Sequence, residues 1–149
     1  MGDLSIIEPR PQFLERVDGI RLAYRYLAGR GPAIVFLPGY MSDMQGGKAQ
    51  ALTAWAQAEG RAMLRLDYSG CGESGGAFED GTLDIWRDDV LAVIRHVVQG
   101  PILLIGSSMG GWLMLLVAEA LGTQVSALVG IAAAPDFTDW DFDDADSGA

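Results

Sequence analysis

The sequence has 149 residues, half of them hydrophobic, which is enough to bury one sizeable core and indicates a single domain. Its net charge of −10 and pI near 4.3 argue against nucleic acids and anionic membrane surfaces as partners. The single cysteine, Cys71, rules out an internal disulfide. The N-terminus lacks the basic start and apolar core of a secretion signal, and the longest purely apolar run, residues 112–118, is too short to cross a bilayer. We therefore expect a cytoplasmic protein without a membrane span.

Apolar runs alternate with amphipathic segments along most of the chain, and this alternation predicts an α/β fold. The predicted strands are residues 13–17 and 20–27, paired as a hairpin around Asp18-Gly19, and then 33–37, 62–66, 102–105 and 127–131. The predicted helices are residues 48–59, stopped by Gly60, then a helix capped by Thr82, and 110–121. Such an order implies right-handed crossovers and a three-layer α/β/α domain with a mostly parallel sheet of about six strands and three helices.

The motif with the clearest chemistry is Gly106-Ser107-Ser108-Met109-Gly110, a Gly-x-Ser-x-Gly pentapeptide between a predicted strand and a predicted helix. This context is the one a nucleophile elbow requires, and a tight strand-to-helix turn with incidental serines is the alternative. Ser108 sits at the apex and is the predicted nucleophile, whereas Ser107 precedes the apex and points elsewhere. Gly106 and Gly110 are the structural glycines, because without side chains they let the strand and the helix approach closely.

An oxyanion hole is expected beside Ser108. The backbone N–H of Met109, at the start of the following helix, is the first predicted donor. Tyr40 or Met41, in the loop after the strand of residues 33–37, supplies the second.

Four segments resemble matching segments of α/β-hydrolases: LPGYMSDM (37–44), LDYSGCGES (66–74), TLDIWRDDV (82–90) and GSSMGGWLM (106–114). The resemblance spans roughly residues 20–134. Among α/β-hydrolases, the chain most resembles the branch of mitochondrial palmitoyl-protein thioesterases that also cleave acyl glucuronides, together with its bacterial relatives. This resemblance implies hydrolysis of a small-molecule or acyl-protein ester or thioester through an acyl-enzyme on Ser108, with no metal or cofactor.

The remaining members of a catalytic triad are not evident. The fold places its acid and histidine after the serine in the chain, yet the only histidine, His96, precedes it. We expect His96 on a solvent-facing helix surface with Asp88 and Asp89, ~13–20 Å from Ser108 at ~3.3 Å per strand residue. Asp136 follows the last predicted strand but has no histidine to orient.

Two further residues lie near the expected site. In the resembling family the loop that contains Asp67 is structural, and we assign Asp67 that role. Cys71 lacks a basic partner that would lower its pKa, and it is expected to act as a small filler.

The chain resembles the first part of a hydrolase domain, residues 1–135, followed by an acidic tail, 136–149, that is expected to be disordered. We expect the strand of residues 127–131 to be an exposed sheet edge that invites self-association. One hypothesis is a serine esterase or thioesterase whose triad acid and histidine lie outside this chain, which by itself has low or no activity. The alternative is a catalytically inactive hydrolase fragment that serves as a binding or assembly module.

Overall fold

A computed structural model of the protein describes residues 8–131. Within them lie six strands and three α-helices, as the sequence predicts. The strands are β1 Gln12–Glu15, β2 Arg21–Leu27, β3 Arg30–Leu37, β4 Arg61–Leu66, β5 Ile102–Ser107 and β6 Val125–Ile131. The helices are α1 Gly47–Glu59, α2 Leu83–Val97 and α3 Met109–Leu121. The predicted domain boundary at residue 135, the acidic tail and Asp136 lie outside the described residues.

The strands form one sheet in the order β1-β2-β4-β3-β5-β6. The hairpin of β1 and β2 is antiparallel, β2 is antiparallel to β4, and all remaining neighbours are parallel. Leu37 pairs with Gly106 at the end of β3 and β5, and Phe36 pairs with Arg65 near the end of β4. The loops that follow β3, β4 and β5 therefore start at the same edge of the sheet, the carboxyl edge at which ligands bind in such sheets.

Helices cover both faces of the sheet, as the three-layer prediction requires. The larger core cluster packs α2 and α3 onto one face, with Val35, Leu64 and Leu104 among its buried members. The smaller cluster packs α1 onto the other face, where Ile34 and Phe36 are buried. Because successive strand residues point to opposite faces, β3 supplies both clusters, which is why its sequence is apolar without alternation.

The structure confirms one prediction about α2 and contradicts another. Thr82 caps α2, since its side-chain oxygen accepts a hydrogen bond from the N–H of Ile85 at 3.1 Å. Asp89, expected on the solvent-facing side of α2, is instead buried. Its carboxylate accepts hydrogen bonds from the N–H of Ser69 and from Arg16, both at 2.9 Å. These two partners satisfy a charge that would otherwise be costly to bury.

The strand β6 is paired along its length with β5 but exposed on the outside. Leu128 and Val129 expose 43% and 42% of their surface, although both residues are apolar. Their side chains point to opposite faces, so neither face of β6 is fully covered within residues 8–131. None of the helices in this part of the chain has the length and apolar character that a membrane crossing demands.

Candidate active site

Ser108 lies at a sharp bend between β5 and α3. Its backbone has φ 56° and ψ −120°, a left-handed conformation that residues other than glycine rarely adopt. Its side chain is exposed and does not cap α3, whereas Ser107 is buried with 8% of its surface exposed. The hydroxyl of Ser108 is therefore presented at the sheet edge, and that of Ser107 is not. This is the geometry of a nucleophile elbow.

The glycines around Ser108 are required by close backbone contacts. A Cβ on Gly106 would lie 2.3 Å from the carbonyl oxygen of Gly110, and a Cβ on Gly110 would lie 2.1 Å from that of Leu37. The first of these contacts brings the end of β5 against α3, and the second brings α3 against the end of β3. Any larger residue would push the helix away from the sheet at the point where Ser108 is held.

The loop of residues 38–44, which follows β3, touches the elbow directly. A Cβ on Gly39 would lie 3.1 Å from the Cβ of Ser108. The next two residues, Tyr40 and Met41, occupy the centre of a turn closed by a hydrogen bond from the N–H of Ser42 to the carbonyl oxygen of Gly39 at 3.1 Å. Met41 has a positive φ of 62°. Both residues thus directly follow the glycine that touches Ser108, in the segment where the sequence predicts the second oxyanion donor.

Met109 stands on the other side of the elbow as the first residue of α3. Amides in the first turn of a helix have no acceptor within the helix, and the helix dipole adds partial positive charge there. The carbonyl of Ser108 accepts from the N–H of Gly111 at 2.8 Å, so the helix starts immediately at the bend. The arrangement can stabilise negative charge that develops beside the Ser108 hydroxyl.

His96 is remote from Ser108. Its ring packs edge-on against Tyr24, with 6.3 Å between ring centroids. Tyr24 lies on β2, three strands from β5 in the sheet order, or about 14 Å at ~4.8 Å per strand. Tyr24 pairs with Leu66 near the carboxyl end of β4, so the separation runs across the sheet, not along β5 as the sequence suggested. A general base must come within ~3 Å of its proton, which His96 does not.

Asp67 connects two loops through its carboxylate. It is buried, and its two carboxylate oxygens accept from the N–H of Met44 at 2.8 Å and of Glu73 at 2.9 Å. Burial raises the pKa of this carboxyl group, and the two backbone hydrogen bonds oppose the rise. Gly72 lies so close to Asp67 that a Cβ on Gly72 would be 2.2 Å from Asp67 Oδ2.

Cys71 is half-buried on the glycine-rich loop of residues 69–76. Burial, followed by the nearby carboxylates Asp67, Asp89 and Asp43, raises the pKa of its thiol to about 11. A thiol with so high a pKa is almost entirely protonated at neutral pH and is a poor nucleophile.

A cavity of about 300 Å³ opens between the 38–44 loop and the glycine-rich loop, at the lower end of the size range of ligand sites. It is lined by Met41, Ser42, Asp43, Gly70, Cys71, Gly72 and Phe78. Met41 joins this cavity to the turn beside Ser108. Within residues 8–131, no three His, Cys, Asp or Glu side chains come together in a way that could hold a metal ion.

Comparison with known proteins agrees with this geometry. Residues 31–140 match the sequence model of the Hydrolase_4 family, described as serine aminopeptidase, S33. The chain belongs to this family. Its mostly parallel six-stranded sheet with three helices is that of the α/β-hydrolases, as the sequence predicts.

Individual relatives are more informative about chemistry. Over 124 residues the chain is 49% identical to the palmitoyl-protein thioesterase ABHD10, mitochondrial, of Homo sapiens. It superposes on the α/β-hydrolase domain-containing protein 10 from mouse with a TM-score of 0.81 at 46% identity, covering 84% of this chain and 50% of that one. A putative hydrolase from Agrobacterium vitis S4 gives a TM-score of 0.79 at 37% identity, covering 87% and 54%. These relatives are hydrolases.

The match to the human relative covers 83% of this chain but 40% of the relative, so the chain spans less than half the length of that protein. The same relatives correct one prediction. The mammalian palmitoyl-protein thioesterases among them are mitochondrial proteins, and the cytoplasmic location expected from the sequence is wrong by this comparison. The single cysteine and the composition of the first residues, on which that expectation was based, do not distinguish one compartment inside the cell from another.

Sequence reasoning found the elbow but missed residues that hold it. Gly39 was not singled out, although its place after Pro38 at a predicted strand end is a turn signal. The sequence also assigned no specific role to Tyr68, whose hydroxyl donates a hydrogen bond to the carbonyl oxygen of Pro38 at 2.7 Å. A buried tyrosine must find a partner for its hydroxyl, but the sequence does not say which one.

Proposed function

We propose that this chain carries the nucleophile and oxyanion hole of a serine hydrolase that cleaves carboxylic esters or thioesters. The observation that carries the proposal is the conformation of Ser108, a strained and exposed serine at the strand-to-helix bend with an uncapped helix start behind it. Strain of this kind persists only where the surrounding structure holds it, and it clusters at catalytic centres.

In the proposed reaction the Ser108 hydroxyl attacks the acyl carbonyl and its proton passes to a general base. The carbonyl oxygen becomes an oxyanion that accepts hydrogen bonds from the N–H of Met109 and from the Tyr40–Met41 turn. The tetrahedral intermediate then collapses and expels the alcohol or thiol, which takes the proton back from the general base, leaving an ester on Ser108. Water attacks this ester and releases the acid.

The palmitoyl-thioesterase activity named for the relatives supports long-chain acyl thioesters as the substrate class. The base and the acid that orients it are proposed to come from outside residues 8–131, because His96 packs against Tyr24 and Asp67 is engaged by backbone N–H groups. We therefore expect weak turnover from the 149-residue chain. An oxyanion hole and binding alone can retain ~10³–10⁴-fold acceleration over water.

The test is covalent labelling with a fluorophosphonate, read by mass spectrometry of the peptide that contains the elbow. We expect labelling of the natural chain and of Ser107→Ala, and none of Ser108→Ala. Ser107→Ala is the matched control because it removes the neighbouring, buried hydroxyl. Label that persists in Ser108→Ala would exclude Ser108 as the nucleophile.

The distance of His96 from the elbow favours a second candidate, a catalytically inactive fragment that serves as a binding or assembly module. The same experiment separates the two. A folded natural chain that neither takes the label nor hydrolyses p-nitrophenyl acetate faster than the Ser108→Ala variant supports the inactive module.

A further inference from the structure

The 38–44 loop is tied at its first residue to the segment that follows β4. The hydroxyl of Tyr68 donates a hydrogen bond to the carbonyl oxygen of Pro38 at 2.7 Å. Tyr68 exposes 1% of its surface, and burial raises the pKa of its hydroxyl well above the usual value, so the group keeps the proton that it donates. This bond fixes the peptide group that joins Pro38 to Gly39, and Gly39 touches Ser108.

The last residue of the same loop is held by two further side chains. The N–H of Met44 donates to Asp67 Oδ1 at 2.8 Å, and its carbonyl oxygen accepts from Arg65 Nη1 at 2.9 Å. All three residues are buried. Both polar groups of the Met44 backbone are thus satisfied by charged side chains, and hydrogen bonds to charged groups are stronger than those between neutral ones.

Between these two ends lies the strained part of the loop. Met41 has a φ of 62°, a conformation that costs free energy in a residue with a side chain. The ring of Tyr40 packs edge-on against Phe78 with 5.6 Å between centroids, and Phe78 packs against Trp86, which stacks on Tyr68. Tyr68, which holds the first end, is thus also connected through these rings to the middle of the loop.

We propose that Tyr68 and Asp67 are positioning residues of the oxyanion hole, which hold the 38–44 loop at both ends and keep the Tyr40–Met41 turn against Ser108. The inference rests on the proposed function of that turn. It gives a physical reason for the segment Arg65-Leu66-Asp67-Tyr68, in which three of four side chains bind the neighbouring loop.

The decisive variant is Tyr68→Phe, which removes the hydroxyl and keeps the ring that stacks on Trp86. Two experiments are made. Steady-state kinetics gives kcat and KM for p-nitrophenyl acetate, and hydrogen exchange is followed at the amides of residues 39–44. Because one misplaced oxyanion donor costs about 10- to 100-fold or more in kcat, we expect a fall of that size with KM changed less than about twofold. Amide exchange should rise about tenfold or more in the loop and not in β3 or β5.

One control and one second variant accompany Tyr68→Phe. Tyr24→Phe removes the hydroxyl of another buried tyrosine, whose 3.4 Å contact with Gln12 is far from the loop, and it should change neither kcat nor the exchange of the loop. Asp67→Asn keeps an oxygen that can accept from Met44 and replaces the other, so it should open the loop less than Tyr68→Phe opens it.

The outcomes test the positioning role of Tyr68 and the proposed function separately. Unchanged loop exchange in Tyr68→Phe overturns the positioning role, and so does faster exchange with unchanged kcat. A fall in kcat together with faster exchange throughout the sheet also overturns it, because that pattern reports a general loss of stability. If Ser108→Ala leaves the esterase rate unchanged, the proposed function fails, and the exchange data still decide whether Tyr68 holds the loop.

Discussion

The neighbouring strands β5 and β6 are similar in composition and opposite in environment. Both consist mainly of Ile, Leu, Val, Ala, Gly and Ser, and they pair in parallel from end to end. Almost every residue of β5 is buried, because β3 and β6 flank it and helices cover both faces. In β6 the middle five residues are all exposed. An apolar strand is thus not buried by its composition alone; its position in the sheet decides.

The difference also separates two kinds of energetic demand. At the end of β5 the backbones of β3, β5 and α3 approach within limits that glycine alone satisfies. Along β6 no such limit applies, and the cost is apolar surface and unpaired backbone left facing outward within the described residues. Substitutions that add atoms at the end of β5 should therefore destabilise the fold. Substitutions along β6 should matter through the polarity of the new side chain.

The largest effect is expected from Gly110→Ala. The new Cβ would meet the carbonyl oxygen of Leu37 at 2.1 Å, a backbone contact that cannot move aside cheaply. We expect a loss of at least about 3 kcal/mol in the free energy of unfolding. Urea denaturation followed by circular dichroism measures it. The control is Gly47→Ala at the start of α1, where a Cβ meets nothing within 4 Å and the change should stay within about 0.5 kcal/mol. Equal midpoints for the two variants would contradict the contact argument.

An intermediate effect is expected from Val129→Lys at the exposed edge. We expect the natural chain to associate through β6, because an apolar strand with an open edge pairs readily with a second copy. A lysine at Val129 should weaken association by about 100-fold, or ~2.7 kcal/mol.

Sedimentation equilibrium over a range of concentrations measures this association. Val17→Lys is the control, since Val17 is fully exposed in the β1–β2 turn, at the opposite end of the strand order. It introduces the same charge without touching β6. A natural chain that stays monomeric at high concentration would show that β6 does not form an interface between two copies.

Much of the fold could be predicted from the sequence because periodicity and turn residues are local signals. The six strands and three helices all occur, and most bounds agree within one or two residues. The strand β5 is longer than predicted because Gly106 and Ser107 continue its pairing with β6, as Ser107 opposite Ile131 shows. Because Ser107 is polar, a prediction based on apolar runs does not include it in the strand.

What the sequence could not supply are contacts between residues far apart in the chain. Asp89 is buried because Arg16, 73 residues away, neutralises it, and a helical wheel contains no information about that partner. The ties from Tyr68 to Pro38 and from Asp67 to Met44 join loops separated by 30 and 23 residues. The elbow could be predicted because its residues are consecutive. The residues that hold the 38–44 loop against it could not, because they meet only in the folded sheet.

The smallest effect is expected from Ser108→Gly, and its sign is the informative part. The strained backbone at φ 56° costs ~1–3 kcal/mol in a serine and nothing comparable in glycine. Glycine gives back roughly 0.4–1 kcal/mol by making the unfolded chain more flexible. We therefore expect Ser108→Gly to stabilise the fold by about 1 kcal/mol while it abolishes labelling by the fluorophosphonate. The control Ser107→Gly lies in the unstrained end of β5 and should lose roughly 0.5–1 kcal/mol. Urea midpoints that fall for both variants would mean that the bend stores no strain, and the strongest structural reason for choosing Ser108 over its neighbour would be lost. A gain confined to residue 108 would instead mean that the chain accepts a less stable fold to keep a hydroxyl at this point, as catalytic centres do.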